Sequence, residues 1–207
     1  MIITSDHLLS TARPALLSPS GGPMPIRRAL VIHFTNGATA QSSIEYWRSL
    51  GNGTCAHLVI DRDGTIFQCR PFNRTAGHAG VSRWRDPKSG ALYPGANAFA
   101  IGIELANAGN DGGVIEWARK HAPEFAGTML AKHRNGGAVE RWEQFPLAQL
   151  AACESAAKAL VARYNLDDIT GHDCIAPKRK NDPGPAFPMQ ALREACGFTG
   201  LPEVFNA

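Results

Sequence analysis

Seven consecutive residues, Phe99–Leu105 (FAIGIEL), are apolar except for Glu104. A near-continuous apolar run of this length reads as a central strand buried on both faces, because a half-solvated strand would alternate. A carboxylate inside such a strand is costly to bury unless it is paired or does chemistry. Two further apolar segments stop at histidine: Ala29–Ile32 ends at His33, and Ile169-Thr170-Gly171 leads into His172. Strand ends in α/β sheets are where sites are usually built. One histidine there is most often structural. Two of them, with a glutamate interrupting a third run, point to a shared site.

The remaining pattern fits around these strands. Ser42 and Glu45 stand at capping-box spacing and predict a short helix through Ile44, Tyr46, Trp47 and Leu50, stopped by Gly51. Leu58–Ile60 and Thr65–Gln68 flank Asp63-Gly64, the signature of a β-hairpin. Residues 72–97 read as a long loop and 107–144 as a polar, Gly-rich insertion. Pro146 opens a helix whose stripe is Leu147, Leu150, Ala151, Ala157, Leu160, Val161 and Tyr164. Residues 1–28, rich in Ser, Pro and Gly, are expected to wrap the surface. The order predicts an α/β fold, a mixed central β-sheet flanked by helices, in one domain over 29–207. A chain of 207 residues suits that single domain.

Composition removes other classes. With 44% hydrophobic and 19% charged residues the chain is not disordered. A net charge of +3, from 21 basic and 18 acidic residues, is too mild to imply a nucleic-acid partner. The run Lys178-Arg179-Lys180 is short and lacks an interleaved aromatic, so it reads better as a site loop. No apolar run approaches the roughly 18–20 residues that span a bilayer, so no membrane partner is expected. The N-terminus lacks a basic start followed by an apolar stretch, which predicts no signal peptide. Five cysteines without a CxxC pair read as buried thiols in a reducing compartment.

Asp182 lies ten residues after His172 in a turn-rich segment. Two histidines and an aspartate would make a suitable hydrolytic zinc site, with three protein ligands and one open position. The spacing alone leaves the alternative that Asp182 merely caps the Asp-Pro-Gly turn.

Five ordered pieces then carry a resemblance: VIHFTNG (31–37), CAHLVIDRDGTIFQ (55–68), RTAGHAG (74–80), FAIGIELANAG (99–109) and GHDCIAPKRKNDPGPAFP (171–188). Over roughly residues 29–190 the chain resembles the zinc-dependent N-acetylmuramoyl-L-alanine amidases of the type 2, peptidoglycan-recognition-like family. The resemblance implies Zn²⁺ held by His33, His172 and Asp182. It implies Glu104 as acid/base and Lys180 as the stabiliser of the tetrahedral oxyanion. The bond cut would join the lactyl group of N-acetylmuramic acid to L-alanine, with peptidoglycan or a muropeptide as partner. His78, Trp84 and Arg179 are expected to contact substrate, and the protein to be a monomer. The setting would be cytoplasmic, or the cell wall after release as a phage-type endolysin. The alternative is a non-catalytic peptidoglycan-binding protein of the same fold, but such members typically lose a zinc ligand.

Departures from the family are specific. Gly77 stands where an aromatic often precedes the loop histidine, Leu58 where some relatives carry a catalytic tyrosine, and Cys174 where an aspartate is common. His57 is expected to be packed, and His7, His121 and His133 solvated. The insertion 107–144 is either a cleft wall that selects peptide stem or glycan, or a surface elaboration without a role.

Overall fold

In a computed structural model, which describes residues 1–205, the centre is a six-stranded sheet. Its strands are β1 (Arg13–Pro14), β2 (Ala29–Phe34), β3 (Leu58–Ile60), β4 (Ile66–Gln68), β7 (Ala100–Leu105) and β10 (Asp168–Gly171). Two further strands, β5 (Arg83–Arg85) and β6 (Leu92–Pro94), form a separate small hairpin, as do β8 (Thr128–Lys132) and β9 (Val139–Glu143). The sheet order is β1-β4-β3-β7-β2-β10, and only β3 and β4 pair antiparallel. The FAIGIEL strand therefore sits between two parallel neighbours. Helices cover both faces, which is why its residues need not alternate.

Those helices are α1 (Ala40–Leu50), α2 (Gly112–His121), α3 (Leu147–Tyr164), α4 (His172–Ile175) and α5 (Met189–Ala195). On one face α3 buries Cys153, Ala156, Ala157 and Leu160 with Leu30, Ile32, Leu58, Ile60, Ile101 and Ile103. On the other, Ile44 and Trp47 of α1 pack with Val59, Cys69 and Ala106. The burying face of α3 is rotated from the expected stripe. Leu147 is exposed, while Gln149 is buried and donates through Nε2 to the carbonyls of Ile60 and Ala106. A buried amide that satisfies two strand-end carbonyls outweighs the burial of one leucine.

Other local readings also shift. The capping box of α1 is Thr39 with Ser42, not Ser42 with Glu45: Thr39 Oγ1 accepts from the Ser42 amide at 3.0 Å and Ser42 Oγ from the Thr39 amide at 3.1 Å. Ser42 can serve either end of such a box, so spacing alone did not place the helix start. The 72–97 loop contains the β5–β6 hairpin. The N-terminal segment does more than wrap the surface. Its β1 extends the sheet edge beside β4, and Leu9 and Met24 enter the core.

The insertion is ordered as α2 and the β8–β9 hairpin. It is pinned by a buried pair: Arg62 meets Glu143 twice, at 2.7 and 2.9 Å, and Glu143 also accepts from the Ala108 amide at 2.6 Å. Bidentate pairing with a third donor is the arrangement in which a buried carboxylate is tolerated. Trp142, 1% exposed, lies against Phe34 and stacks on His133. No helix among the described residues is long and apolar enough to cross a membrane.

Candidate metal centre and active-site cleft

The parallel register puts two of the sequence-predicted groups side by side. His33 on β2 is the direct partner of Glu104 on β7, so both side chains project from the same face of the sheet. That face is the one opposite α3, since Leu30 and Ile32 take the other. His172 opens α4 immediately after β10, the neighbour of β2. Asp182 returns to the same place because the Asp173 amide donates to its carbonyl at 2.7 Å.

Three atoms converge there. His33 Nδ1 and His172 Nδ1 are 2.9 Å apart, and Asp182 Oδ2 lies 2.8 and 3.0 Å from them. All three residues are buried. The surrounding hydrogen bonds decide which nitrogens carry protons. His78 Nε2 donates to the Ala100 carbonyl at 3.1 Å, so its Nδ1 accepts from His33 Nε2 at 3.0 Å. His172 Nε2 donates to the Ala79 carbonyl at 3.1 Å. Both His33 and His172 are thereby held with Nδ1 lone pairs aimed at the carboxylate oxygen. Three converging electron-rich atoms repel unless a cation lies among them, and outer hydrogen bonds of this kind are how metal sites fix their histidines. Two imidazole nitrogens and one carboxylate oxygen suit zinc.

The electrostatics agree. Burial, with His172 beside it, pushes His33 down to about 4. Burial opposes ionisation of Asp182, but the hydrogen bonds from His172 and His33 outweigh it and hold the carboxyl below its ordinary value. A neutral His33 and an ionised Asp182 are in the protonation states a metal needs. Beside them, burial and then the charge of Asp182 push Glu104 well above the usual carboxylate range, against the pull of Lys180. Glu104 Oε2 is buried without a hydrogen-bond partner. The Glu104 side chain lines a cleft of about 390 Å³, together with His78, His172, Arg179, Lys180, Asp182 and others.

The remaining predicted residues divide. Arg179 lines the cleft, but its Nη2 donates to the carbonyls of Ala79 and Val81. His78 also lines it, yet both ring nitrogens are engaged, so it orients His33 before it can meet substrate. A Cβ on Gly102 would fall 2.7 Å from the His78 ring; only glycine lets the ring lie against β7. Trp84 is not in the cleft lining. It is 3% exposed, donates to Asp168 at 3.0 Å, and packs with Tyr93, Phe99 and the Arg28 guanidinium. The expected substrate contact is not made, because the β5–β6 hairpin turns the ring inward.

The cleft's tryptophan is Trp47, from α1, which the sequence reading placed only in a helix. At position 77 a Cβ would sit 2.9 Å from the Gly53 carbonyl, so that wall has no room for a side chain without a backbone shift. Asn110 and Asn181 also line the cleft and were not singled out. They bond to each other at 3.1 Å, across 71 residues of sequence that no local pattern connects. Cys174 bonds to Asp173 and Arg134 rather than joining the three converging atoms.

Of the other histidines, His121 is exposed as expected. His7 is bonded to the Tyr164 hydroxyl at 2.8 Å, and His133 is buried beside Asp173 and Trp142. Both depart from the solvated reading, since their partners come from distant segments. His57 is packed: Nε2 donates to the Arg74 carbonyl and Nδ1 accepts from the Gly102 amide. Burial pushes it down to about 4, despite the Arg74 bond and with help from Arg70. Unfolded histidine takes up a proton near 6.5. Between about 6.5 and 4 the unfolded chain therefore holds a proton that folded His57 does not. Stability is full above that window and is lost as pH falls through it, by about 3 kcal/mol for this residue. Urea titrations of metal-free protein from pH 7.5 to 4.5 are expected to show the loss, and His57→Gln to reduce its slope.

Together the sheet, the two oriented histidines, the aspartate and the adjoining carboxyl define an α/β protein with three residues that could hold one metal ion, set in an open cleft. Comparison with known proteins narrows this class. Residues 22–185 match the family Amidase_2, N-acetylmuramoyl-L-alanine amidase. The chain belongs to that family.

The 1,6-anhydro-N-acetylmuramyl-L-alanine amidase AmpD of Salmonella typhimurium (strain SL1344) is 34% identical over 151 residues, 72% of this chain and 60% of that protein. N-acetylmuramoyl-L-alanine amidase AmiD of Escherichia coli (strain K12) is 34% identical over 131 residues, 62% of this chain and 37% of that protein. The chain thus spans between about a third and three fifths of these relatives. Among solved structures, an AmpD crystal structure aligns with TM-score 0.63 at 26% identity, over 94% of this chain and 99% of that one. E. coli AmiD in complex with anhydro-N-acetylmuramic acid-L-Ala-D-γ-Glu-L-Lys aligns with TM-score 0.61 at 27% identity, over 96% and 66%.

Proposed function

We propose that the chain hydrolyses the amide between the lactyl group of N-acetylmuramic acid and L-alanine, using zinc held by His33, His172 and Asp182. The observation that carries this reading is the convergence of two oriented Nδ1 lone pairs and a carboxylate oxygen beside the unpartnered Glu104 Oε2. Zinc, when bound, polarises a carbonyl and brings the pKa of water down to roughly 7. The Glu104 carboxylate takes the proton from the attacking water and hands it to the departing amine of L-alanine. A carboxyl raised toward neutrality is suited to both transfers. The Lys180 ammonium offsets the charge that develops on the carbonyl oxygen. His78 and the Ala79 carbonyl hold the two histidines so that neither rotates during turnover.

The substrate favoured is a soluble anhydro-muropeptide. AmpD relatives are named for 1,6-anhydro-N-acetylmuramyl-L-alanine, and AmiD was solved with an anhydro-muropeptide. The endolysin setting draws no comparable support: the Clostridium intestinale endolysin amidase is 19% identical and shares the fold alone. A purely binding role is disfavoured, because Glu104 and Lys180 accompany all three candidate ligands. The test is mass spectrometry of anhydro-N-acetylmuramoyl tripeptide before and after incubation. The expected products are the anhydro-sugar acid and the free peptide, with activity lost to a chelator and restored by zinc. Zinc-loaded protein that leaves both muropeptide and sacculi intact would overturn the reading.

A further inference from the structure

Of the three converging residues, only Asp182 lies outside a strand or helix. Its carboxylate is therefore placed by whatever fixes the loop around it. The inserted segment 107–144 touches that loop on both sides of Asp182. On the N-terminal side, Asn181 Nδ2 donates to Asn110 Oδ1 at 3.1 Å. On the C-terminal side, the Trp142 ring covers Gly184, where a Cβ would fall 2.7 Å from Cζ3 and 2.9 Å from Cε3.

A third support comes from behind, through Asp173. The Asp173 amide donates to the Asp182 carbonyl at 2.7 Å, and the insertion grips Asp173 twice. Asn135 Nδ2 donates to its carbonyl at 2.8 Å, and His133 Nε2 lies 3.2 Å from its Oδ2. The Asn135 amide donates to His133 Nδ1 at 3.1 Å, which leaves the ring proton on Nε2, beside the carboxylate. That last contact is electrostatic, since its angle is not that of a hydrogen bond. His133 stacks on Trp142 with ring centroids 5.8 Å apart, and Trp142 meets Phe34, the neighbour of His33, at 6.5 Å. Two buried rings of the insertion thus link the Asp182 loop to the strand that carries His33.

We infer that the inserted segment, through Asn110, His133, Asn135 and Trp142, positions Asp182 as the third metal ligand and so sets how tightly the site holds zinc. The inference rests on the zinc reading above and extends it to the segment whose role the sequence left open. A ligand on an unsupported loop must be ordered when the metal binds, and that ordering weakens binding. Contacts that hold the loop beforehand remove this cost. Groups that orient metal ligands typically change metal affinity by about 10- to 100-fold when they are lost. His133, Asn135 and Trp142 are not part of the catalytic cleft lining, so they act through Asp182 and not on substrate.

Zinc affinity, measured by competition with a chromophoric chelator, is the readout. Asn135→Ala shortens an exposed side chain and removes its bond to Asp173. His133→Phe keeps a ring against Trp142 and removes both nitrogens. Each is expected to weaken zinc binding about tenfold, and the two together up to about 100-fold. Leu150→Ala is the control, because Leu150 packs on the other side of the sheet with α3. It should lower the urea midpoint of metal-free protein and leave zinc affinity at the wild-type value. Muropeptide turnover by the two insertion variants should return to the wild-type rate as zinc is raised to saturation. Variants that fold and bind zinc as tightly as the wild type overturn the positioning role and leave the zinc reading standing. Equal weakening in Leu150→Ala, or turnover that stays low at saturating zinc, also overturns it. Wild-type protein that binds no zinc overturns both readings.

Discussion

His172→Ala is expected to remove the metal and lower turnover of a muropeptide by about 10³-fold or more. A catalytic metal supplies several kcal/mol of charge stabilisation, and each 1.36 kcal/mol is tenfold in rate. The site has three converging ligand atoms in all, so losing one leaves a two-ligand site that holds zinc weakly. A measurement independent of activity separates the metal from the chemistry. Thermal unfolding of the wild type should rise when zinc is added, because a ligand that binds only the folded state stabilises it. The variant should show no such rise. A variant that keeps stoichiometric zinc at wild-type affinity would mean that His172 is not a ligand.

Glu104→Gln should behave differently. The amide is nearly isosteric with the carboxyl, and Glu104 lies outside the three converging atoms, so zinc content and folding should be preserved. Turnover should fall by about 10²–10⁴-fold, the range typical of a positioned acid/base. The loss should be mainly in kcat, because the proton transfers belong to the transition state and not to ground-state binding. Zinc analysis of the purified variant together with steady-state kinetics checks both halves. Loss of zinc would show that Glu104 supports the metal instead. Full activity would show that another group moves the proton.

The two substitutions also show how unevenly the site could be read from the chain. Glu104 was conspicuous because a single carboxyl inside an apolar strand has a large desolvation cost, and that cost is visible in one dimension. His33 and His172 were conspicuous for the same reason, each ending a hydrophobic run. The pairing of His33 with Glu104 was not legible in this way, because it is set by the register between two strands far apart in the chain. What could not be read was anything that depends on which distant segment a side chain meets. His78 was expected to contact substrate on the family resemblance alone. Its function is set by the Ala100 carbonyl and the His33 ring, which order its tautomer. Trp84 had the composition of a sugar platform and the position of a core residue.

The chain by itself determined five of the six central strands, the α/β class, and the identity of the polar groups that interrupt apolar strands. Burial of charge is so costly that those groups had to be paired or functional wherever the strands went. The tertiary structure alone decided which lone pairs converge on Asp182 Oδ2, that Trp47 and not Trp84 reaches the cleft, and that the inserted hairpin lines a second groove beside Lys180. Each of these rests on a hydrogen bond or contact between segments tens of residues apart, such as Asn110 with Asn181. Side-chain hydrogen bonds act over about 3 Å, and only the folded backbone brings their partners within that range.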